Sequence, residues 1–394
     1  MMASLRVFTL HTDDVDTEGA LEDLLAQAEA QLGDRIPRAG LLFAAIDFDH
    51  DLLVGGLVAR WPQIQLIGCT TDGEASSAGG FQEDSAVLTL FVSEHIHFAA
   101  GVGAGVGADP LSAAREAVAQ AAPLLPSAPA LCFTTPDGLT TNGSALVAGL
   151  GSLLGPIPIV GGTAADQWRF RQTRQFCGGE VYSDAVPVLL VSGALRVAVG
   201  VASGWTPVGR TAIVTRAVGN TVYEIDNRPA AAFYEHYLGP QIKPSAEYPL
   251  AILDRDGVPL YLRAAMSYDT ESGVVHFAGT VPEGARVRLT EISREAIVNA
   301  CRTSVDTALE RFGSATPAAV LLFSCAARKQ LLGTRTAEEC EVVASRVPPG
   351  VPFAGFYANG EIGPTGAGGL TQFHNETLVS VVLGCSAGAA GERR

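Results

Sequence analysis

The sequence has no cluster of basic residues and no long apolar run. Its 394 residues include 26 lysines and arginines against 41 acids, which gives a formal net charge of −15. Surfaces that bind nucleic acid or anionic membranes are built from basic patches, so we expect neither kind of partner. The first residues contain no apolar signal-peptide core, and no apolar stretch is long enough to span a membrane. We therefore expect a cytoplasmic protein without membrane insertion.

Several common catalytic motifs are also absent. There is no P-loop, no H-E-x-x-H zinc motif and no G-x-S-x-G nucleophile elbow, so nothing supports an NTPase, a metalloprotease or an α/β-hydrolase. The seven cysteines form no C-x-x-C pair and are odd in number, which predicts reduced thiols rather than disulfides or structural zinc. The glycine run at 101–108 fits G-x-G-x-x-A, but no acid follows at the distance that holds a ribose. We interpret this run as a strand-to-helix connection.

The sequence does contain one pattern that occurs three times. Each repeat begins with a short apolar strand, at 40–46, 130–135 and 319–325. A helical stretch and a second apolar strand follow, and this strand leads into a small polar turn: TTDGE (70–74), TAADQ (163–167) and YANGE (357–361). A further apolar strand closes each repeat. The first strands lack polar alternation, which is typical of strands that are buried on both faces.

Short strands separated by helices predict an α/β fold. We expect mixed sheets built from strand–helix–strand repeats, flanked by helices, in two intimately associated subdomains. The predicted domains span 1–195 and 196–394, with the third repeat at 318–384. Residues 194–316 are interpreted as an insertion of strands with two helices. Because the third repeat is displaced toward the C-terminus, we expect it to complete a sheet shared with the N-terminal part.

The densest group of chemically active side chains follows two apolar strands near the C-terminus. The first strand leads to Cys325 and Arg328, and the second leads to Tyr357, Asn359 and Glu361. Both strands should end at the carboxyl edge of a sheet, where open α/β sheets bind ligands. Arginine can hold a carboxylate in a two-bond fork and glutamate can receive an ammonium, so this edge suits a zwitterion. The alternative is a structural Arg–Glu pair beside an Asn-Gly turn.

Trp205 and Arg210 extend this ligand hypothesis, as an aromatic wall and a second cation. The alternative for Trp205 is an anchor at the end of a strand. Cys325 carries a different hypothesis, that of a nucleophile, because neighbouring cations favour a thiolate. No histidine lies near Cys325 in the sequence. We therefore expect a binding protein and not an enzyme.

Four segments in combination resemble the FIST proteins. They are LIGCTTDGE (66–74), GWTPVG (204–209), FSCAARKQLLG (323–333) and GFYANGEIGP (355–364). The likeness runs end to end, with a FIST N part followed by a FIST C part. This resemblance implies an intracellular sensory protein that binds a small molecule, such as an amino acid, and signals to a separate partner protein.

The same resemblance implies an alternative ligand. Some stand-alone FIST proteins are haem-binding nitric oxide sensors that regulate a histidine kinase or a cyclase. A haem needs an axial ligand, usually His or Cys, in an apolar pocket. His236, in a helix predicted near 229–237, is one candidate for that ligand, and His276 and the cysteines are others.

Overall fold

The computed structural model describes residues 4–366 and 368–386. Three modules of the same design follow one another along the chain. Module 1 contains β1 (Leu5–Thr12), α1 (Thr17–Leu32), β2 (Ala39–Ala44), α2 (His50–Arg60), β3 (Gln65–Thr70), β4 (Glu74–Ser76), β5 (Gly80–Gln82) and β6 (Ala86–Ser93). Module 2 contains β7 (Ile96–Ala104), α3 (Pro110–Ala121), β8 (Leu131–Thr134), α4 (Gly143–Leu154), β9 (Ile159–Gly162), β10 (Gln175–Cys177), β11 (Glu180–Tyr182) and β12 (Ala185–Gly193).

Module 3 begins with β13 (Leu195–Ala202) and is then interrupted by an insertion. The insertion contains β14 (Thr206–Val218), β15 (Thr221–Ile225), β16 (Arg228–Pro229), α5 (Ala230–Leu238), β17 (Leu250–Leu253), β18 (Pro259–Arg263), β19 (Ala265–Tyr268), β20 (Val275–Phe277) and β21 (Arg286–Glu291). Module 3 resumes with α6 (Arg294–Phe312), β22 (Ala319–Cys325), α7 (Ala326–Leu332), α8 (Ala337–Arg346), β23 (Phe353–Ala358), β24 (Glu361–Pro364), β25 (Thr371–His374) and β26 (Leu378–Cys385).

Each module builds a six-stranded mixed sheet with the same strand order. The orders are β1-β6-β2-β3-β10-β11, β7-β12-β8-β9-β24-β25 and β13-β26-β22-β23-β4-β5. In each sheet the two strands that a helix connects at the centre are parallel, as β2 is to β3, and their other neighbours are antiparallel. The predicted α/β fold with internal repeats is therefore confirmed.

The last two strands of each sheet are a hairpin that comes from another module. Module 2 supplies β10–β11 to module 1, module 3 supplies β24–β25 to module 2, and module 1 supplies β4–β5 to module 3. The exchange forms a closed cycle, so the N-terminal and C-terminal parts share sheets, as the displaced third repeat predicts. The domain boundary at residue 195 stays a prediction.

The insertion is shorter than the sequence predicts. β13 pairs with β26, and α6 packs on β13, so both elements belong to module 3 and the insertion spans 203–293. A Cβ atom on Gly200 would lie 2.0 Å from the carbonyl oxygen of Ser304, which explains the glycine where α6 crosses β13. The inserted strands form an eight-stranded sheet of their own. Apolar content cannot distinguish an edge strand of this module from an inserted strand, because both are short and antiparallel.

The glycine run at 101–108 lies partly inside β7 and not only in the connection after it. A Cβ atom on Gly103 would lie 1.9 Å from the carbonyl oxygen of Ala113, so α3 packs directly against the strand backbone. The helix then begins after Asp109, whose side chain accepts a hydrogen bond from the amide of Ser112. Close helix–strand packing therefore accounts for these glycines.

The three sheets share one apolar core. Phe43 of β2, Phe133 of β8 and Phe323 of β22 belong to a single buried cluster. The rings of Phe43 and Phe356 lie 4.5 Å apart between centroids, which joins the sheets of modules 1 and 3. None of the helices in 4–366 and 368–386 combines the length and apolar character needed to cross a membrane.

Candidate functional site

The carboxyl ends of the three central strands β3, β9 and β23 meet in one place, which we call the junction. Backbone hydrogen bonds close it as a ring: Ala165 donates to Thr70 (2.9 Å), Asp72 to Tyr357 (3.0 Å) and Asn359 to Thr163 (3.3 Å). Each module thus places its polar turn beside the turn of another module. The exchange of hairpins brings these turns together, since the exchanged hairpin of each module follows its turn, directly in modules 1 and 3 and after residues 168–174 in module 2.

A cavity of about 370 Å³ lies beside the junction and is roofed by the insertion. We call it the junction cavity. Hydrogen-bonding side chains come from module 2, the insertion and module 3, among them Thr141, Asn220, His276 and Asn359. Apolar walls are provided by Phe170, Met266, Phe277 and Phe373. The described residues that line this cavity include no Asp, Glu, Lys or Arg, so its surface is polar without a carboxylate, ammonium or guanidinium group.

Two buried polar atoms in this lining have no partner in the protein. The Nδ2 atom of Asn359 and the Oγ1 atom of Thr141 make no hydrogen bond to any of the described residues. His276 is held by a contact of 3.1 Å between its Nδ1 and the Oγ1 of Thr221. Because buried polar groups are almost always paired in native proteins, two buried unpaired atoms on residues of one cavity wall indicate a place for a hydrogen-bonding guest that these side chains would turn to meet.

Arg263 connects the insertion, which covers the junction cavity, to modules 2 and 3. Its guanidinium is buried and donates to the carbonyl oxygens of Thr280 (2.9 Å) and Phe373 (3.0 Å) and to the hydroxyl of Ser144 (3.2 Å). Burial lowers the pKa of Arg263 to about 10, so the group stays charged at neutral pH. The insertion, α4 and the hairpin β24–β25 are therefore held together at one point.

Arg328 and Tyr357 lie in a closed group of side chains, the Arg328 cluster, which also contains Glu339 and Ser324. Arg328 is 0% exposed, forms an ion pair with Glu339 and donates to the carbonyl oxygens of Ser203 (2.7 Å) and Ile297 (3.1 Å). The hydroxyl of Tyr357 donates to Glu339 at 2.8 Å. These contacts occupy both terminal nitrogens of Arg328, which leaves no fork for a ligand carboxylate.

Glu361 and Cys325 are also enclosed by protein. Glu361 accepts hydrogen bonds from the amide (3.0 Å) and the hydroxyl (2.7 Å) of Thr377. Burial raises the pKa of Glu361 to about 8, so its carboxyl is mostly protonated at pH 7. Burial, and then the nearby Glu361 and Glu376, raise the pKa of the Cys325 thiol well above its usual range. Neither group has the charge that the sequence hypotheses require.

The other three residues predicted from the sequence, Trp205, Arg210 and His236, lie in three different environments. Trp205 is 6% exposed and donates from its indole nitrogen to the carbonyl oxygen of Glu247 at 3.2 Å. Arg210 is exposed and forms an ion pair with Asp226 at 3.1 Å. His236 lies on the exposed side of α5, with its ring centroid 4.9 Å from that of Tyr237. Of the seven predicted ligand residues, Asn359 alone lines the junction cavity.

Sequence reasoning missed most of the side chains that line this cavity. Thr141 follows β8 just as Asn359 follows β23, so the rule that selected the C-terminal turns also applies to 135–142. His276 appeared among the histidines only as an alternative haem ligand. No local signal places it at the cavity, because it lies on β20 of the insertion and reaches the junction only through tertiary packing.

Comparisons with known proteins give a consistent family match. The model of the FIST N domain matches residues 38–228, and the model of the FIST C domain matches residues 230–364. An uncharacterized protein of Mycobacterium tuberculosis is 25% identical over 369 residues, covering 89% of this chain and 92% of the relative. An uncharacterized protein of Methanocaldococcus jannaschii is 42% identical over 82 residues, which cover 21% of this chain and 15% of that protein.

Solved structures resemble the chain only distantly. A cyanuric acid hydrolase from A. caulinodans has a TM-score of 0.39 at 11% identity, covering 98% of this chain and 100% of that one. A chorismatase has a TM-score of 0.37 at 11% identity, covering 98% of this chain and 99% of that one. A likeness at this level carries no information about activity.

Proposed function

The chain belongs to the FIST family, whose domains are associated with sensory roles in signal transduction, and we propose that it is a small-molecule sensor that binds its ligand in the junction cavity. In this proposal the protein is cytoplasmic and not an enzyme. Its output is a contact with a separate signalling protein, such as a histidine kinase or a cyclase.

The unpaired atoms of Asn359 and Thr141 carry the proposal. A buried polar group without a partner costs about 1–3 kcal/mol, and a ligand that pairs with it recovers part of that cost. A carbonyl oxygen on the ligand would accept from the Nδ2 of Asn359. The hydroxyl of Thr141 can donate or accept, so it suits either kind of group on the ligand.

The absence of charged side chains from the described lining narrows the class of ligand. A zwitterionic amino acid would lose the solvation of both charges without gaining an opposite charge. An uncharged polar molecule with a planar body, such as an amide, would keep its hydrogen bonds and pack against Phe170, Phe277 and Phe373. We therefore propose a neutral polar metabolite in place of the amino acid that the resemblance implies.

The signal would arise from the position of the insertion. A ligand that contacts His276 above and Asn359 below favours the conformation in which the insertion lies closed on the modules. Since a ligand shifts an equilibrium only by its different affinity for the two states, contacts on both sides of the cavity are what the mechanism needs. The partner would read the orientation of the insertion.

The other two hypotheses from the sequence are not carried forward. Cys325 is a buried thiol with a raised pKa, which is unsuitable for a nucleophile. His236 is exposed on α5 and does not line the junction cavity, whereas an axial haem ligand needs an apolar pocket. His276, the other histidine considered for haem, lies in the junction cavity, where we propose a hydrogen-bonding metabolite instead.

The experiment is a calorimetric titration of the purified protein with benzamide, an uncharged planar amide, and with glutamine as a zwitterion. We expect benzamide to bind and to raise the melting temperature, and glutamine to bind more weakly. Asn359→Ala should weaken benzamide binding roughly tenfold, the effect of losing one hydrogen bond. The matched control is Asn299→Ala, which removes an exposed asparagine on α6 and should leave the affinity unchanged. If benzamide binds to Asn359→Ala as tightly as to Asn299→Ala, the junction cavity is not the binding site.

A further inference from the structure

A second cavity of about 370 Å³ lies on the other side of the hairpin β24–β25. Phe373 of β25 lines the junction cavity and its neighbour His374 lines the second cavity. We call the latter the Trp205 cavity. Its walls come from the end of β13, from β18 of the insertion and from Thr365 and Thr377 of module 3. No part of the function proposed above uses it.

Arg311 gives this cavity a positive charge. It is an exposed residue near the end of α6, and its Nη1 donates to the carbonyl oxygen of Val199 at 2.6 Å, which holds one end of the guanidinium beside the cavity. Its other two nitrogens make no hydrogen bond or ion pair with the described residues. The lining includes no Asp or Glu among the described residues, so nothing in the wall neutralises Arg311.

The other ionisable groups nearby do not oppose this charge. Burial lowers the pKa of His374 to about 4, and its Nε2 contacts the carbonyl oxygen of Gly363 at 2.9 Å, so the ring is neutral. Glu361 lies behind Thr377 and is mostly protonated at neutral pH, because burial raises its pKa to about 8. In a chain with a net charge of −15, this cavity is therefore locally positive.

Trp205 adds an apolar surface to this cavity, and 6% of the residue is exposed. Its indole N–H is already bonded to the carbonyl oxygen of Glu247, so what it offers to a guest is the carbon framework of the ring. Pro259 and Leu260 of β18 add further apolar wall, and the ring of Tyr261 adds an aromatic one. A planar hydrocarbon body would pack well between these groups.

We propose that the Trp205 cavity is a second ligand site, which binds a small monocarboxylate with a planar apolar body. The carboxylate is held by the free nitrogens of Arg311, whose fork matches two carboxylate oxygens. The ring of the ligand lies against Trp205. In this proposal Trp205 keeps the role of aromatic wall expected from the sequence, and Arg311 takes the role of cation that was expected of Arg210 and Arg328.

The test is a titration of the protein with benzoate, followed by calorimetry and by tryptophan fluorescence, at low and high salt. We expect benzoate to bind and to quench or shift the fluorescence. Arg311→Gln should weaken binding at least tenfold, because it removes the only charge that pairs with the carboxylate. Arg302→Gln, on the exposed face of the same helix, is the matched control and should have no effect. Leu260→Trp should block the cavity from the side of the insertion, and because Leu260 is half exposed the fold should tolerate it.

Benzamide separates this proposal from the proposed function, since it has the same ring as benzoate but is uncharged and carries an NH2 donor in place of one carboxylate oxygen. Loss of benzoate binding in Arg311→Gln with unchanged benzamide binding is the expected result. Benzoate binding that is unchanged in Arg311→Gln, or that is lost in Asn359→Ala, overturns the second site and leaves the junction cavity intact. No binding of benzoate at millimolar concentration also overturns it, whatever benzamide does.

Discussion

Two residues at the end of β23 lie in opposite surroundings. Tyr357 points into the Arg328 cluster, where its hydroxyl meets Glu339 and the terminal nitrogens of Arg328 are bonded to protein. Asn359, two positions later, lines the junction cavity with an unpaired Nδ2. Both regions are polar and partly or fully buried. In the Arg328 cluster both terminal nitrogens of Arg328 and the carboxylate of Glu339 are bonded to protein, and among the described residues only the Nε of Arg328 has no partner there. The degree to which polar groups are paired, and not polarity itself, therefore separates the two regions.

The largest expected effect is the loss of stability in Arg328→Met. The change leaves Glu339 buried without its cation, and breaking a buried ion pair in this way costs about 3–5 kcal/mol. Urea unfolding monitored by circular dichroism measures the difference. The control is Arg335→Met, because Arg335 pairs with Glu295 and Glu338 at the surface, where a pair is worth about 0–1 kcal/mol.

A second variant tests whether the loss of stability in Arg328→Met arises because the charge of Glu339 is left buried without a partner. Arg328→Met combined with Glu339→Gln leaves no buried ion, so it should recover part of the lost stability. The contrary result is a double variant whose loss in the free energy of unfolding equals the sum of the losses in the two single variants. The Arg328 cluster would then be stabilised by packing and not by pairing of its charges.

The next effect concerns the pH dependence of stability. The folded pKa of Glu361, about 8, lies above the value of an unfolded glutamate, so the folded state binds more protons between the two values. Its contribution is therefore fully present below about pH 4 and is lost as the pH rises through about 8. Glu74, with a pKa raised by burial to about 7, adds to the same trend.

Glu361→Gln should flatten this profile. The amide keeps an oxygen for Thr377 but cannot ionise, so the stability lost between pH 5 and 8.5 should be smaller by roughly 1–3 kcal/mol than in the unchanged protein. Urea midpoints at the two pH values measure it, and Glu310→Gln on the exposed face of α6 is the control. A profile identical to that of the unchanged protein would mean that Glu361 is not a buried acid.

The smallest effect has the opposite sign. Without ligand, Asn359→Ala removes a buried amide that has no partner, so stability should stay the same or rise by up to about 1 kcal/mol. Thermal unfolding of the ligand-free protein measures this. If Asn359→Ala lowers the free energy of unfolding by more than about 1 kcal/mol, Asn359 stabilises the fold as the residues of the Arg328 cluster do.

Much of the fold follows from the sequence, but the hairpin exchange does not. The buried strands at 40–46, 130–135 and 319–325 predict three α/β repeats, because unbroken apolar runs need cover on both faces. The residues of β4, in contrast, contain nothing that selects β23 of another module over β3 of their own. That choice depends on pairing between distant segments, which local propensity does not encode.

The sequence predicts that Arg328 and Glu361 follow strands at a carboxyl edge, but it does not predict their contacts. Arg328 and Glu361 do follow strands at a carboxyl edge, yet the direction of each side chain is set by residues that the sequence pattern does not single out. Glu339 in α8 forms an ion pair with Arg328, and the hydroxyl of Thr377 donates a hydrogen bond to Glu361. Arg311, the cation of the proposed second site, lies in an amphipathic helix, where its position in the chain gives no indication of a ligand.

The cyclic exchange of hairpins also has a consequence for synthesis on the ribosome. Ser76 of β4 pairs with Ala354 of β23, so the first module's hairpin emerges long before its partner strand exists. At about 5–20 residues per second, the delay is on the order of tens of seconds. The sheet of module 1 likewise stays open until β10 has been made. The nascent chain must therefore carry unpaired strand edges for most of its translation, and we expect it to need a chaperone during that interval more than the finished protein does.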